Sequence, residues 1–452
     1  MASGAIVQQH ARDSSSNAST NSNPLLDLLT NSLVLHQIIP YLPISSIVNL
    51  AATSPSFRDL LLYRTSGVFR HLDLTRVKID HGSEIWPNVQ IDENITEDDF
   101  YSGPLRTIFR NIRRRDILHQ VQTLVLDGLS VTAEFCNDIL VDPTLRVRIL
   151  SIRDVKNLNE RKLMQSLRYA CRSTRPDDTP RLKALYVFGT KDAPARSIPL
   201  IARQHGAARR GAKISIGWNH KSQHALNESI QSEGDDWYHK KGRIIGKHIT
   251  DGWAETLLDC REVIKFDAVL CTSPRHQNSS AFGKVPVTPR GVASGTESPW
   301  NVATFALGGC ASCGTAPEGF TVYGDSPSEE LPLLAPVPLH SSTIKAATVP
   351  KPNFRSEGTE GAHKFIPRCL ECIRERYCFS CDQWWCEACY QVPSRQELSG
   401  QLVHIVGQTH GIAEHESAAL EPSNVKVRNG YCPNCYPTSA EAKPGVRNPF
   451  PP

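Results

Sequence analysis

Five pairs of cysteines with the spacing Cys-x-x-Cys constrain the C-terminal part of this chain more than any other feature. The pairs account for ten of the fourteen cysteines in the 452 residues: Cys310 and Cys313, Cys369 and Cys372, Cys378 and Cys381, Cys386 and Cys389, and Cys432 and Cys435. Two thiolates three residues apart can bind one metal ion from a single turn of chain, and four such ligands complete a tetrahedral zinc site. The spacing therefore predicts a zinc-binding module over residues 305–440.

The number of pairs leaves the number of zinc ions open. Ten cysteines complete two four-ligand sites, and one pair is left over. Histidines would have to complete a third site, and four of them lie near the pairs in the sequence: His363, His404, His410 and His415. We expect two Zn²⁺ ions, or three if histidines contribute.

The remaining four cysteines are Cys136, Cys171, Cys260 and Cys271. They lie among apolar residues, which favours a role in the core. A catalytic cysteine, as in ligases that carry ubiquitin on a thiol, needs an accessible thiolate of low pKa beside a basic group. Paired spacing fits metal ligands better, and the chain carries no Ser-His-Asp, Walker or dinucleotide-binding motif. We expect no catalytic residues and no organic cofactor.

The compact run CLECIRERYCFSCDQWWCEACY, residues 369–390, resembles RING-like and ZZ-like zinc fingers. In those fingers the pairs often interleave, so that the first and third share one metal and the second and fourth share the other. The resemblance implies one alternative for the whole protein, a RING-like ubiquitin ligase that recruits a ubiquitin-carrying enzyme through this module.

Near the N-terminus, residues 31–74 carry apolar side chains at helical spacing. Pro43 and Pro55 interrupt the pattern, which predicts three short helices, the second capped by Ser45 or Ser46. So short a stretch cannot form a large core alone, and we expect it to pack against a partner. The partner could be another protein or simply the next domain of this chain.

Tyr-Leu-Pro at 41–43, between the first two helices, and Phe-Arg at 57–58, in the third, make this pattern similar to an F-box. The resemblance implies a non-catalytic substrate-recognition subunit that binds the adaptor of an SCF-type ubiquitin ligase. The residues expected to contact the adaptor are apolar and lie in and between the first two helices: Ile38, Ile39, Leu42, Pro43, Ile47 and Leu50.

Between these two regions an apolar pattern recurs. VQTLVLDGLSV, residues 121–131, is matched 26 residues later by VRILSIRDVKNL, and LKALYVFGT at 182–190 is a weaker copy. Alternating strands and helices over residues 67–271 predict a short, irregular leucine-rich-repeat-like α/β solenoid. An ordinary α/β domain with parallel strands and crossover helices is the alternative. In both cases we expect a target protein to bind through this domain, with its sheet face as the candidate surface, through the zinc module, or through both.

Composition and charge complete the prediction of an α+β multidomain protein. Residues 1–23 are expected to be a disordered tail, 24–66 the F-box-like domain, 272–304 a linker and 441–452 a second tail. The formal net charge of +4 argues against nucleic acid as the main partner, and a third reading as a zinc-dependent nucleic-acid binder is the weakest for that reason. The run of arginines at 110–115 is interpreted as a solvated helix face.

Location in the cell follows from what the sequence lacks. No apolar run approaches the roughly 18 residues of a membrane span, and the N-terminus lacks the apolar core of a signal peptide. Cysteines in Cys-x-x-Cys pairs are typical of reducing compartments. We therefore expect an intracellular protein, cytoplasmic or nuclear or both, with no membrane partner.

Overall fold

A computed structural model describes residues 23–77, 97–191, 242–287, 298–322, 331–334, 337–339, 341–348, 364–392, 426–428 and 430–435. The chain divides into two compact units, Met1–Val68 and Phe69–Pro452. None of the described helices combines the length and the apolar character needed to cross a membrane.

The first unit is helical throughout its described part. In chain order its helices are α1 (Pro24–Thr30), α2 (Ser32–Ile38), a 3-10 turn (Ile39–Tyr41), α3 (Ile44–Thr53), α4 (Pro55–Arg58) and a π-helical turn (Asp59–Arg64). The Asn31 side chain caps α2 by accepting from Leu33 N at 3.0 Å, and Ser54 caps α4 by accepting from Phe57 N at 3.2 Å. The predicted capping of the second helix by Ser45 or Ser46 is wrong. Helix α3 begins at Ile44, so both serines lie inside it, and Pro43 occupies the N-cap position.

The second unit contains short strands and helices. Its described strands are β1 (His71–Asp73), β2 (Thr123–Val125), β3 (Ile149–Ser151), β4 (Ala184–Tyr186), β5 (Gly242–Arg243), β6 (Lys265–Phe266), β7 (Phe305–Leu307), β8 (Thr321–Val322) and β9 (Lys364–Arg368). Its described helices are α5 (Glu97–Arg114), α6 (Ala133–Val141), α7 (Glu160–Ala170), α8 (Trp253–Cys260), α9 (Ile344–Thr348) and α10 (Leu370–Ile373), with a 3-10 turn at Leu118–Gln120. Mixed α/β structure with alternating strands and helices is confirmed.

One sheet is parallel and runs β1-β2-β3-β4-β6, so that its strands lie side by side in chain order. The register places Leu72, Leu124, Leu150, Leu185 and Phe266 opposite one another along the sheet, and all five are buried. These residues belong to the recurring apolar pattern of the sequence. The recurring pattern therefore aligns equivalent side chains across the sheet, because each strand pairs with the next one in the same register.

The sheet has no exposed face at its central strands. Every residue of β2, β3 and β4 is buried, and described residues within 331–348 pack against Val125, Ile149 and Tyr186. Leu333 N donates to Phe266 O at 2.8 Å, and Ser342 Oγ lies 2.9 Å from Thr123 Oγ1. The face on which we expected a target protein is thus covered by the chain itself.

The other sheet runs β5-β7-β9-β8 and is antiparallel. Its strands come from positions 242 to 368, so distant segments meet in it. Described parts of 272–304, predicted to be a linker, join this arrangement: Ala303 N donates to Val269 O, and Cys271 N donates to Asn301 O, both at 2.8 Å. Backbone pairing therefore holds this stretch within the second unit.

Candidate metal centres

Twelve side chains with metal-binding atoms form three groups of four in the described residues. The first centre consists of Cys271, His276, Cys369 and Cys372, the second of Cys310, Cys313, Cys386 and Cys389, and the third of Cys378, Cys381, Cys432 and Cys435. Within each centre the four ligand atoms lie within 4.8 Å of one another. Four protein ligands around one point suit a tetrahedral ion and leave no open coordination position, which is the arrangement of structural sites.

The first centre lies where the parallel sheet ends. Cys271 follows β6, while Cys369 and Cys372 come from the first turn of α10. His276 Nε2 lies 3.4 Å from Cys369 Sγ and 3.2 Å from Cys372 Sγ. The other ring nitrogen, Nδ1, lies 3.3 Å from Ser298 O, a partner that can hold the imidazole with Nε2 toward the thiols.

Two members of this centre were missed from the sequence. Cys271 was interpreted as a core cysteine, and His276 lies in the stretch predicted to be a linker. The core interpretation of Cys271 does not account for its contacts, because its sulfur accepts from Cys369 N at 3.2 Å, across 98 residues of chain. The available signal was the unmatched fifth pair, which needed two more ligands. The histidines considered for it, at 363, 404, 410 and 415, lie outside the described residues.

The second centre joins the turn after β7 to the end of the compact run. Cys310 Sγ accepts from Cys386 N at 3.3 Å, and Cys313 Sγ lies 3.8 Å from Cys386 Sγ. Gly309 is required at the tight turn beside it, because a Cβ there would come 2.0 Å from the carbonyl oxygen of Gly314. The glycine thus lets the backbone close around Cys310.

The third centre joins two segments that are about fifty residues apart in the chain. Cys381 Sγ lies 3.7 Å from Cys432 Sγ, and the backbones are paired nearby by Phe379 N donating to Gly430 O at 2.9 Å. Cys381 is exposed, as is Cys313 of the second centre, whereas all four ligands of the first centre are buried.

The centres interleave along the chain. The compact run contributes one pair to each of the three centres: Cys369 and Cys372 to the first, Cys378 and Cys381 to the third, Cys386 and Cys389 to the second. The alternation within the run that the RING-like resemblance implies is therefore absent from the described residues. Each pair meets ligands from outside the run instead, because the antiparallel sheet and its flanking turns bring residues 271–313 and 432–435 to it.

Hydrogen bonding favours thiolates at several ligands. The hydrogen bond from Cys386 lowers the pKa of Cys310 to about 4, against an opposing effect of burial. At Cys378, burial opposes ionisation, but backbone hydrogen bonds lower the pKa to about 7. Burial likewise disfavours the charged form of His276, yet hydrogen bonds to Cys271 and Cys372 raise its pKa to about 10. The pKa values of five other ligand thiols are raised instead: those of Cys369, Cys381, Cys386, Cys389 and Cys432. Metal binding requires the thiolate and the neutral imidazole, so an ion would displace these protons.

The adaptor-contact residues expected in the first unit divide into two sets. Ile39 and Ile47 are only 6 % and 4 % exposed, so they belong to the core and are not accessible to a partner in this structure. The other four are half-buried: Ile38, Leu42, Pro43 and Leu50. Helical periodicity could not separate the sets, because it marks which residues are apolar at helical spacing and not which of them pack inside the unit. It also says nothing of Leu42 and Pro43, which lie between the helices.

The first unit also exposes apolar side chains that the sequence analysis did not select. Of the twelve large apolar residues exposed in the described parts of the chain, six lie here: Leu25, Leu28, Leu33, Tyr41, Val48 and Tyr63. Leu33 and Tyr63 are 77 % and 76 % exposed. Such a concentration is typical of a surface that binds another protein.

Comparisons with known proteins add no family. No protein-family model matches this chain, no curated protein matches it, and no solved structure matches it. The metal centres and the surface of the first unit are therefore the features that bear on function.

Proposed function

We propose that this protein is a non-catalytic substrate receptor of an SCF-type ubiquitin ligase. Its helical first unit binds the adaptor, and its second unit, stabilised by three structural zinc ions, binds a target protein. The observation that carries the proposal is the concentration of exposed apolar side chains on the first unit, a small F-box-like set of helices. Burying such a surface against a partner would contribute about 25 cal/mol for each Å² removed from water.

The donor sets fit zinc. Thiolate and imidazole are the ligands that Zn²⁺ prefers, and hard cations such as Mg²⁺ and Ca²⁺ prefer oxygen. Zinc would supply four bonds per centre and thereby hold together segments that are distant in the chain. Since all four positions of each centre come from the chain, we assign the ions a structural role and not a catalytic one.

The target surface is proposed to lie on the cysteine-rich part of the second unit. The described residues within 331–348 already cover the central strands of the parallel sheet, so we place the target surface elsewhere. The chain-order arrangement of the parallel strands supports a leucine-rich-repeat-like architecture whose role here is to carry the module. The grouping of the cysteine pairs gives no support to the RING-like alternative.

A pull-down with the purified adaptor tests the receptor proposal. The double variant Val48→Asp and Leu50→Asp places two charges on exposed and half-buried positions of α3, and we expect adaptor recovery to fall at least tenfold. The matched control is Val141→Asp, which charges an exposed apolar residue of the second unit and should leave recovery unchanged. Circular dichroism checks that the variants stay folded. Undiminished recovery with the α3 variant would reject the proposed docking surface.

A further inference from the structure

A buried ion network lies between the first and second centres. Glu387 directly follows Cys386 of the second centre, and its carboxylate accepts from two arginines. Arg275 Nε donates to Oε1 at 2.5 Å and Nη2 to Oε2 at 3.3 Å, while Arg376 Nη2 donates to Oε1 at 2.5 Å. The side chains of Arg275, Glu387 and Arg376 are 8 %, 3 % and 5 % exposed. Water therefore cannot replace these contacts.

Both arginines lead to the first centre. Arg275 directly precedes His276, so its backbone moves with that ligand. Arg376 donates through Nη2 to the carbonyl oxygen of Cys372, another ligand of the same centre. One carboxylate thus connects a residue next to the second centre with two positions in or next to the first.

We propose that Glu387 is a positioning residue that couples the metal occupancy of the two centres, so that they gain and lose their ions together. This inference rests on the proposed function, in which the centres hold zinc. If the second centre loses its ion, the turn that carries Cys386 is released and Glu387 moves with it. Two guanidinium groups would then be buried without this carboxylate, which is a strongly unfavourable state. Opening of the second centre consequently disfavours the closed first centre.

The test follows both centres in single molecules of the full chain. The zinc-loaded protein is treated with limiting chelator and N-ethylmaleimide, which alkylates cysteines that have lost metal. Top-down mass spectrometry of the intact chain then reports which cysteines are alkylated together. In the natural protein, we expect chains with only the second centre alkylated to be rare relative to chains with both centres alkylated.

Glu387→Gln keeps the shape of the side chain and removes its charge. We expect chains alkylated at the second centre alone to become about fivefold more frequent. The matched control is Glu371→Gln, which removes an exposed carboxylate from between Cys369 and Cys372, where Glu371 accepts from Asn301 Nδ2 at 3.0 Å. This control should keep the natural pattern. Arg275→Lys keeps the charge but loses the two-point contact, and it should shift the alkylation pattern in the same direction. It replaces Glu387→Gln as the test variant if Glu387→Gln does not fold.

Two results would overturn the coupling: an unchanged pattern in both network variants, or an equal shift in Glu371→Gln. Elemental analysis separates this failure from that of the zinc assignment. A natural protein that holds zinc but opens its centres independently contradicts only the coupling. A natural protein that holds no zinc contradicts the zinc assignment as well.

Discussion

The parallel-sheet region, residues 71–266, and the cysteine-rich region, residues 271–435, are stabilised by different means. In the first, apolar residues such as Leu72, Leu124 and Leu185 stack between neighbouring strands and are almost fully buried. In the second, the buried side chains include Arg368, which contacts Glu318, together with the Glu387 network. Charged groups of this kind are costly to bury and contribute little net stability. Both regions bury apolar residues, Phe305 and Ile366 among those of the second, and the sheet buries an ion pair of its own between Arg153 and Asp127. What distinguishes the cysteine-rich region is that metal centres join its segments.

The comparison also separates short-range from long-range organisation. Strands of the parallel sheet follow one another in chain order, so each pairing joins neighbours along the sequence pattern. In the metal centres, ligands that are distant in the chain meet: 51 residues separate Cys381 from Cys432, 73 separate Cys313 from Cys386, and 93 separate His276 from Cys369. A structure built on such distant contacts loses much loop entropy on folding and needs strong bonds to offset it.

Removal of metal from the full chain should have the largest effect. A structural zinc ion stabilises small domains by about 10 kcal/mol or more, so chelation is expected to unfold the segments that carry the centres. The parallel sheet and the described residues within 331–348 that pack on it should keep most of their helical circular dichroism. Limited proteolysis should then cut within residues 298–435. Elemental analysis before chelation should give three zinc ions per chain, one for each centre. A chelated chain with unchanged protease resistance would show that metal does not hold this region.

Loss of one ligand tests the metal content at the border of the two regions. We expect Cys271→Ser to reduce the zinc content from three ions to two, because Cys271 belongs to the first centre. Cys136→Ser provides the control, since Cys136 is buried in α6 and belongs to no centre among the described residues. Elemental analysis of both variants measures the difference. Equal zinc contents would exclude Cys271 as a ligand.

A cavity in the parallel-sheet region should lower the stability by less than the loss of a metal ion does, but the loss of stability should still be large. Leu167 in α7 is fully buried, and Leu167→Ala should lower the free energy of unfolding by about 2–5 kcal/mol. Zinc content should stay unchanged, because the substitution lies far from the ligands in sequence. Val141→Ala is the control, because Val141 is an exposed residue of α6, and it should change the free energy of unfolding by less than about 0.5 kcal/mol. Urea unfolding followed by circular dichroism measures both.

The smallest effect concerns one surface ion pair of the parallel-sheet region. Burial opposes ionisation of Asp142, but hydrogen bonds from Thr144 and Arg113 lower its pKa below the ordinary value of 3.8. Its contribution to stability is therefore present above pH 3.8 and is lost as the pH falls through the lowered pKa.

Asp142→Asn should cost only about 0.5 kcal/mol at neutral pH, because solvent screens this pair. The difference from the natural protein should shrink toward zero as the pH approaches 2. Urea unfolding of the two proteins at matched pH values measures it. A difference that grows on acidification would contradict the assigned sign.

Local features, namely short helices, strands and cysteine pairs, could be predicted from the sequence alone. Apolar periodicity predicted the short N-terminal helices and the strands around Leu72, Leu124, Leu150 and Leu185, because local spacing decides which side of a strand or helix is buried. Cys-x-x-Cys spacing identified ten cysteines that all take part in the three centres. It could do so because two ligands on one turn need no other part of the chain to be placed correctly.

Only the tertiary structure decided how these features combine. It brought Cys271 and His276 to the leftover pair and distributed the compact run over three centres. It also packed described residues within 331–348 against the sheet and buried Ile39 and Ile47. Each of these outcomes depends on which distant segments meet. No local pattern in the sequence specifies which segments meet, because this depends on the packing and backbone pairing of the whole unit.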